Sequence, residues 1–479
     1  MCALTVVVGE APANAAGFYI ADVGARGLGR GGAFVAAPDS LLAASYNPAG
    51  LSLLRGLHIE ASIAAVQLNA EISRQCPCLD PATDATLESL FAPANTSTPL
   101  AIPYVAIGYG FDWLNSHVAI AAWGPNSGRH NWGDIPDTGV GEELFRLQSE
   151  AQSQRYSAFE VANFEANVAL SYAFEPLPKL RVGVSGFLFF SGSDQSLSVW
   201  ANSNLFAQPA ENTNFDVPLD VRLPPTSGFG WGAGLSYEIL PGLSIGTSFR
   251  AERRVKGEGT LDAQLPIFFL SFEDARIEGD AVDIELNIAP IWRGGIQYRW
   301  PEVLTVEAAV VWEGWSTHDR IVARPRNVQV TIPSSPNPIV IPELILPRDW
   351  NDTWSLRLGG EVHAVPWVDL RWGYFFESSA VPASTVSAAR IDRPKHGFSL
   401  GAAYTWRGLT MELSATYVHL VPISIGDSQL RVTGVFPVES DGTSAAVGSE
   451  RNLSVIGNGD ISGHYLIGAV SVGAAFDGF

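Results

Sequence analysis

The sequence predicts an all-β fold, a fourteen-stranded antiparallel transmembrane β-barrel with an N-terminal hatch that plugs the lumen. Three observations predict it. Apolar and polar residues alternate along many segments, and the connections between these segments are alternately very short and long. Only 16% of the 479 residues are charged, although 47% are hydrophobic, whereas soluble domains carry about 25% charged residues. No run of roughly 18 apolar residues occurs, so membrane-spanning helices are not expected.

Alternation of apolar and polar side chains sets the two faces of each predicted strand. The pattern is clear in 161–174, 284–300 and 354–363. In 284–300 the apolar row comprises Ile284, Leu286, Ile288, Trp292, Ile296, Tyr298 and Trp300, and the polar row comprises Glu285, Asn287, Arg293, Gln297 and Arg299. A period of two places alternate side chains on opposite faces. In an outer-membrane barrel the apolar row meets lipid and the polar row lines the lumen.

The connections favour a barrel over a soluble sandwich, because six short turns alternate strictly with seven long loops. The turns are Leu114-Asn115-Ser116, Pro176–Lys179, Pro241-Gly242, Pro301–Val303, Pro366-Trp367 and Arg407-Gly408. The loops lie near 75–99, 127–155, 204–226, 263–280, 326–349, 381–392 and 426–458. An even number of strands, with tight turns at one end and long loops at the other, is typical of outer-membrane barrels.

Aromatic residues recur beside the proposed turns. They are Trp113, Phe174, Trp300, Trp367 and Trp406. Such rings prefer the headgroup region of a membrane, so we expect them to form an aromatic girdle.

The N-terminus divides into a leader and a hatch. Ala3–Val8 forms a short apolar core and Ala13-Asn14-Ala15 a small-residue cleavage site, but no basic residue precedes Arg26. We therefore predict a truncated signal peptide over 1–15. Residues 16–54 are rich in Gly and Ala and do not alternate like a strand. Fourteen strands enclose a lumen wide enough to need blocking, so 16–54 is predicted to plug a barrel formed by 55–479.

Several pieces of this segment resemble the N-terminal hatch of the FadL-type outer-membrane transporters of long-chain fatty acids and other hydrophobic compounds (OMPP1/FadL/TodX). The matching pieces are Ala16-Gly17-Phe18, Gly27-Leu28-Gly29-Arg30, Asp39 and Asn47-Pro48-Ala49. Asn351–Pro382 and His396–Leu420 resemble the late strands of the same family. The family's fourteen strands agree with the number of strands inferred from the turns and loops.

The resemblance implies passive uptake of hydrophobic molecules across the bacterial outer membrane, in three steps. For capture by external loops, the apolar stretches Pro266–Phe272, with Phe268, Phe269 and Phe272, and Ile339–Leu346 are candidates. The alternative is that these are strand extensions that pack together. For an internal site beside the hatch, the resemblance implies Phe18. For sideways exit at a kink in the third strand, it implies Gly124 and Pro125, which could instead simply end the strand.

Charged residues are predicted on the lumen side of the wall. They include Arg250, Glu252, Glu285, Arg293, Arg357, Glu361, Asp369 and Arg371. One interpretation is a network of ion pairs that holds the wall and the hatch together. The other is that an arginine grips the carboxylate of a ligand. Arg30 in the hatch is open to the same two interpretations, as a ligand contact or as a salt bridge to the wall.

Several other functions are disfavoured. A net charge of −20 argues against a nucleic-acid partner. Cys76 and Cys78, either disulfide-bonded or separate, lack the further ligands of a metal site. No catalytic set or cofactor motif is recognisable, so an outer-membrane lipid-modifying enzyme, a general diffusion porin and an adhesive barrel remain only as alternatives. The expected partners of the monomer are a hydrophobic ligand, outer-membrane lipid and lipopolysaccharide. The sequence does not separate fatty acids from aromatic hydrocarbons as the ligand.

Overall fold

The computed structural model describes residues 22–75, 91–124, 128–133, 151–200, 216–265, 275–331, 338–340, 344–430 and 455–476. The predictions made for the leader 1–15, Phe18, the two loop cysteines Cys76 and Cys78, Pro125, and the loop residues Phe268, Phe269 and Phe272 lie outside the described residues. Among the described residues, no helix has the length and apolar character needed to cross a bilayer.

The described residues form a closed barrel of fourteen strands. The strands are β1 Gly56–Arg74, β2 Ala94–Gly110, β3 His117–Trp123 with Gly128–Asn131, β4 Glu160–Leu177, β5 Leu180–Trp200, β6 Asp216–Leu240, β7 Leu243–Arg250 with Arg253–Ala263, β8 Ala281–Ile288 with Ile291–Trp300, β9 Leu304–Glu313 with Arg320–Pro325, β10 Leu344–Pro347 with Thr353–Val365, β11 Val368–Glu377, β12 Lys395–Trp406, β13 Leu409–Ile425 and β14 Gly459–Phe476. Consecutive strands pair antiparallel, and β14 pairs with β1 from Leu57 opposite Phe476 to Arg74 opposite Gly459. The predicted fold is confirmed.

Short elements complete the described fold. The helices are α1 Ala25–Gly29 and α2 Ala43–Tyr46, and the 3₁₀ turns are Pro48–Leu53, Trp113–Asn115, Trp315–Thr317 and Ala383–Thr385. One small sheet pairs Phe91–Ala92 with Ala151–Gln152. In a second, Gln329–Thr331 lies between Arg276–Glu278 and Ile339–Val340 and pairs with both.

All six predicted tight turns join neighbouring strands at one end of the barrel. The turn between β12 and β13 consists of Arg407 and Gly408, and both have positive φ, 48° and 82°. A two-residue hairpin of this kind needs positive φ at both positions, and a glycine meets that need without strain at the second. Trp113, Trp367 and Trp406 are exposed beside the turns, where the aromatic girdle is expected.

Within the apolar band, the alternation predicts the two faces correctly. In β4, Leu170 is 59% exposed and faces lipid, whereas Asn167 and Ser171 are buried on the lumen side. At the last strand, Phe476 is exposed and continues the lipid-facing row of Leu466, Val470 and Val472.

The alternation changes phase where the upper part of β8 begins, and one prediction is wrong there. Trp292 and Ile296 face lipid, but Ile284 and Ile288 are each only 7% exposed and point inward, while Glu285 bonds to Lys256 on the outside. Ala289 and Pro290 separate the two halves of the strand. Beyond the lipid the outside of the wall meets water, so charged residues turn outward and apolar ones inward. For the same reason Glu252, which follows the lower half of β7, is exposed and not on the lumen side.

Candidate functional site

The described part of the predicted hatch, residues 22–54, is enclosed by the barrel wall. Its apolar side chains Val23, Phe34, Leu41, Leu42 and Tyr46 are buried in one cluster with wall residues. The chain has contacts on widely separated strands: the Ala25 amide donates to Ser471 of β14, and Asn47 donates to the Leu235 carbonyl of β6. The described part of this segment therefore packs against the inner side of the wall, where the hatch is expected.

The Asn47-Pro48-Ala49 motif fixes the last turn of the hatch. Asn47 is fully buried; its Nδ2 donates to the carbonyls of Val35 and Leu235 at 2.8 and 3.0 Å, and its Oδ1 accepts from the Ala49 amide at 3.1 Å. The wall opposite carries glycine, because a Cβ at Gly234 would lie 1.9 Å from the Asn47 Oδ1. The motif is therefore a structural joint between hatch and wall.

Substitution of Asn47 is expected to loosen this joint. Asn47→Ala leaves buried backbone groups without partners, each costing about 1–3 kcal/mol, and Asn47→Asp places a carboxylate against two carbonyl oxygens, which costs more. We expect the temperature at which the folded barrel converts to the unfolded form on an SDS gel to fall in the order wild type, Asn47→Ala, Asn47→Asp. Asn351→Asp, at an exposed asparagine, is the control; an equal fall in both aspartate variants would contradict the assignment.

Gly27 and Gly29 of the hatch motif lie in close contact with neighbouring residues. A Cβ on Gly27 would meet the Tyr46 hydroxyl at 2.2 Å, and one on Gly29 would touch Gly401 of β12 at 3.4 Å. From the wall side, a Cβ on Gly359 of β10 would lie 2.1 Å from the Arg30 carbonyl oxygen. Glycine on both partners lets the hatch backbone lie directly on the wall.

Arg30 lies in an ion pair with the wall. Its Nη2 is 3.3 Å from Glu307 Oε2 in β9 and 3.3 Å from Gln297 Oε1 in β8. The other Glu307 oxygen accepts the amides of Val35 and Ala36 at 2.5 and 3.0 Å. Arg30 thus has the contacts expected of a salt bridge to the wall, and its predicted ligand contact stays a prediction.

A second group of charges holds the hatch at the turn end of the barrel. Arg26 pairs with Asp39 at 3.0 Å and with Glu361 at 3.1 Å, and Arg299 also reaches Asp39. Nearer the other end of the hatch, Arg357 pairs with Asp22. These contacts match the ion-pair network predicted for the lumen.

Below the hatch is a cavity that opens at the turn end between the hatch and strands β1, β13 and β14. Its lining includes Arg26, Asp39, Glu60 and Glu412.

Above the hatch, aromatic side chains face the interior. Trp123 of β3 lies between Tyr104 and Phe187, with ring centroids 6.3 and 6.5 Å away. The Arg250 guanidinium lies 5.5 Å from the Trp123 ring and donates to the Ser45 carbonyl of the hatch. This aromatic group was not predicted from the sequence. The signal was available, because Trp123 and Phe187 occupy lumen-facing phases of their strands.

Next to this aromatic group the ladder between β2 and β3 ends. Tyr104 opposite Trp123 is the last register pair, and the Gly124 amide makes one longer bond of 3.4 Å to the Pro103 carbonyl. From Gly128 to Asn131 strand β3 pairs with β4, and within the described residues Ala94–Ile102 of β2 has no ladder partner in β3. The break lies at Gly124, one of the two residues predicted to form the kink.

One group of side chains has the residue types of a metal site, but its potential ligand atoms already bond to other residues. Potential ligand atoms of Glu361, His363 and Asp369 lie within 4.8 Å of one another. Glu361, however, is already engaged by Arg26 and Arg371, and the His363 Nδ1 bonds to Asp369 at 2.7 Å.

The chain is similar in sequence and in fold to several known proteins. The chain is similar to the long-chain fatty acid transport proteins of Salmonella typhi (21% identity over 233 residues, 47% of this chain and 49% of the relative) and of Escherichia coli K12 (20%, 47% and 48%). It spans about half the length of these curated relatives. Its fold is similar to a Pseudomonas aeruginosa FadL homologue (TM-score 0.74, 15% identity, 96% of this chain and 100% of the other). It is also similar to the P. putida toluene transporter TodX (TM-score 0.64, 13% identity, 96% and 100%).

The model of one family, described as outer membrane protein transport protein (OMPP1/FadL/TodX), matches residues 142–453. This match covers well over half of a chain that also has the closed fourteen-stranded barrel and a buried segment inside it, and this outer-membrane protein therefore belongs to the OMPP1/FadL/TodX family.

Proposed function

We propose that this protein carries hydrophobic small molecules passively across the bacterial outer membrane, with sideways release at the break in β3. The observation that carries the proposal is the position of that break. It lies beside the buried aromatic group of Tyr104, Trp123 and Phe187, directly above a hatch that blocks the straight path through the barrel.

The two ends of the hatch region differ in polarity, which favours a sideways route. The cavity below the hatch is lined by charged residues such as Arg26, Asp39 and Glu412. An apolar solute gains little from passing these charged side chains, whereas transfer into an apolar environment is worth roughly 25 cal/mol per Å² of surface removed from water. Passing from the aromatic group through the wall into lipid avoids the charged side chains.

The ligand is expected to be a long-chain fatty acid or an aromatic hydrocarbon. The relatives are named as long-chain fatty acid transport proteins, and solved neighbours are named as toluene transporters. Capture by Phe268, Phe269 and Phe272, and contact with Phe18, remain parts of this proposal that rest on the family resemblance. The blocked lumen disfavours a general diffusion porin, and the family's description as transport proteins disfavours an enzyme.

A disulfide across the break tests the sideways route. Pro103→Cys with Gly124→Cys would join β2 and β3 where the ladder stops. We expect cells that express the oxidised variant to take up radiolabelled oleate and toluene no faster than cells without the protein. Uptake should return on reduction with dithiothreitol, because the two strand edges can separate again.

The matched control is Val105→Cys with Ala122→Cys, a register pair on the same face two residues nearer the turn. This disulfide joins strands that are already paired, so uptake should equal that of the wild type. Undiminished uptake with the upper disulfide closed would rule out the sideways route. Absence of uptake by the wild type, with the barrel folded, would rule out the transport function itself.

A further inference from the structure

Three histidines lie side by side on the outer surface of the barrel. In the register of strands β12, β13 and β14, His396 is opposite His419, and His419 is opposite His464. His419 is exposed and the other two are half-buried, all on the outward-facing side of their strands. The chain has eight histidines in all, so three in one row across adjacent strands form a marked concentration. We call these three residues the histidine row.

The histidine row lies at the outer boundary of the lipid-facing band. Two residues nearer the turns, the same three strands expose Phe398, Tyr417 and Leu466 to lipid. On the other side of the row, Asp460 of β14 is exposed. The imidazoles therefore lie at the level of the lipid head groups, where water and dissolved ions can reach them.

Neighbouring side chains in such a row can share one ion. Side chains directly opposite each other on paired antiparallel strands have Cβ atoms about 4.5–5.5 Å apart. Imidazole nitrogen suits Zn²⁺, Cu²⁺ and Ni²⁺, and it binds Zn²⁺ at about 2.0–2.1 Å. Two opposed imidazoles that lean toward each other can therefore hold a metal ion between them. Positively charged imidazoles would instead repel one another at this spacing, so a plain polar boundary does not favour three histidines here.

The two outer histidines also have the neighbours expected of metal ligands. The Tyr374 hydroxyl lies 2.9 Å from His396 Nδ1, and the Asn69 Nδ2 lies 3.3 Å from His464 Nε2. A ligating histidine binds the metal through one ring nitrogen and a polar neighbour through the other, which fixes the orientation of its ring. A hydroxyl and a side-chain amide can each donate or accept, so both neighbours can serve in either protonation of the ring.

We propose that the histidine row binds one divalent transition-metal ion, such as Zn²⁺, on the outer surface of the barrel. His419 is the central ligand, and His396 and His464 approach the ion from either side. Two strand spacings separate the outer pair, roughly 9–10 Å, so both outer rings lean toward His419. The site lies outside the lumen and is independent of the proposed transport function.

Calorimetric titration of Zn²⁺ into the purified full-length barrel in detergent tests the proposal, with excess Mg²⁺ present. Mg²⁺ takes oxygen ligands and so occupies sites built from carboxylates. The wild type is expected to bind one Zn²⁺ in the histidine row, and His419→Gln should lose this binding. His396→Gln and His464→Gln should each weaken it at least tenfold, since loss of an outer-shell partner alone costs about 10–100-fold.

Two variants separate metal ligation from a general effect on the barrel. Tyr374→Phe keeps the aromatic ring and removes the hydroxyl beside His396, so it should weaken Zn²⁺ binding about tenfold and leave the unfolding temperature unchanged. The matched control is His363→Gln, at a half-buried histidine bonded to Asp369 near the turns. It should bind Zn²⁺ as the wild type does.

Electron paramagnetic resonance with Cu²⁺ identifies the ligand atoms directly. The wild-type spectrum should show splitting from at least two imidazole nitrogens, and His419→Gln should lose that signal. Zn²⁺ binding that is unchanged in His419→Gln, or absent in the folded wild type, would overturn the proposal. Binding lost in His363→Gln but kept in His419→Gln would place the ion near the turns instead and would also overturn it.

Discussion

Glu307→Ala is expected to turn a closed barrel into a leaking one. Glu307 is fully buried, accepts two hatch amides and pairs with Arg30. Its removal leaves Arg30 buried beside no carboxylate of β9, and loss of one partner of a buried pair typically costs about 3–5 kcal/mol. The hatch should therefore leave its position part of the time, and planar-bilayer recordings should show ion conductance that the wild type lacks.

The control for this experiment is Glu252→Ala, which removes a glutamate from the exposed side of the wall. This variant should show no more ion conductance than the wild type. Heat-dependent migration on an SDS gel confirms that each variant is a folded barrel before recording. Absence of ion conductance in the Glu307→Ala barrel would mean that the remaining contacts, such as Arg26 with Asp39 and Glu361, hold the hatch without Glu307.

Gly359→Ala is expected to displace the hatch by steric contact alone. The new Cβ would lie 2.1 Å from the Arg30 carbonyl oxygen, which is backbone and cannot move away as a flexible side chain could. Overpacking of this kind costs about 1–3 kcal/mol, and more where the backbone is fixed. We expect a lower unfolding temperature and bilayer conductance like that of Glu307→Ala.

Gly468→Ala is the matched substitution on β14. Nothing lies within 4 Å of a Cβ at Gly468, on the outer side of the wall. Its stability should equal or slightly exceed that of the wild type, because alanine restricts the unfolded chain. If both alanine variants behaved alike, the close contact between Arg30 and Gly359 would not be what holds the hatch against β10.

The strands and their turns could be predicted because both depend on local pattern. Alternation with a period of two gives the lipid-facing row of β4, and the short turns at Pro241-Gly242 and Arg407-Gly408 mark where the strands reverse. The inward turn of Ile284 and Ile288 could not be predicted in the same way. It depends on where the wall leaves the lipid, and the residues of a strand do not show how deep in the membrane each of them lies.

The candidate site was predictable only in part. The resemblance implied Gly124 as part of an exit kink, and the ladder stops beside it, while its role in exit stays a prediction. Arg30 was recognised as a possible salt bridge. Trp123 and Phe187 occupy lumen-facing phases of their strands, but their grouping with Tyr104 becomes visible only when the barrel brings separate strands together.

By itself, the sequence determined that this chain is an outer-membrane barrel, how many strands it has and, within the apolar band, which residues face lipid. These properties follow from short-range alternation and from the lengths of connections. Only the tertiary structure decided that Arg30 pairs with Glu307, 277 residues away. Pairing of charges depends on which strands face each other across the lumen, and that is set by closure of the whole barrel around the hatch.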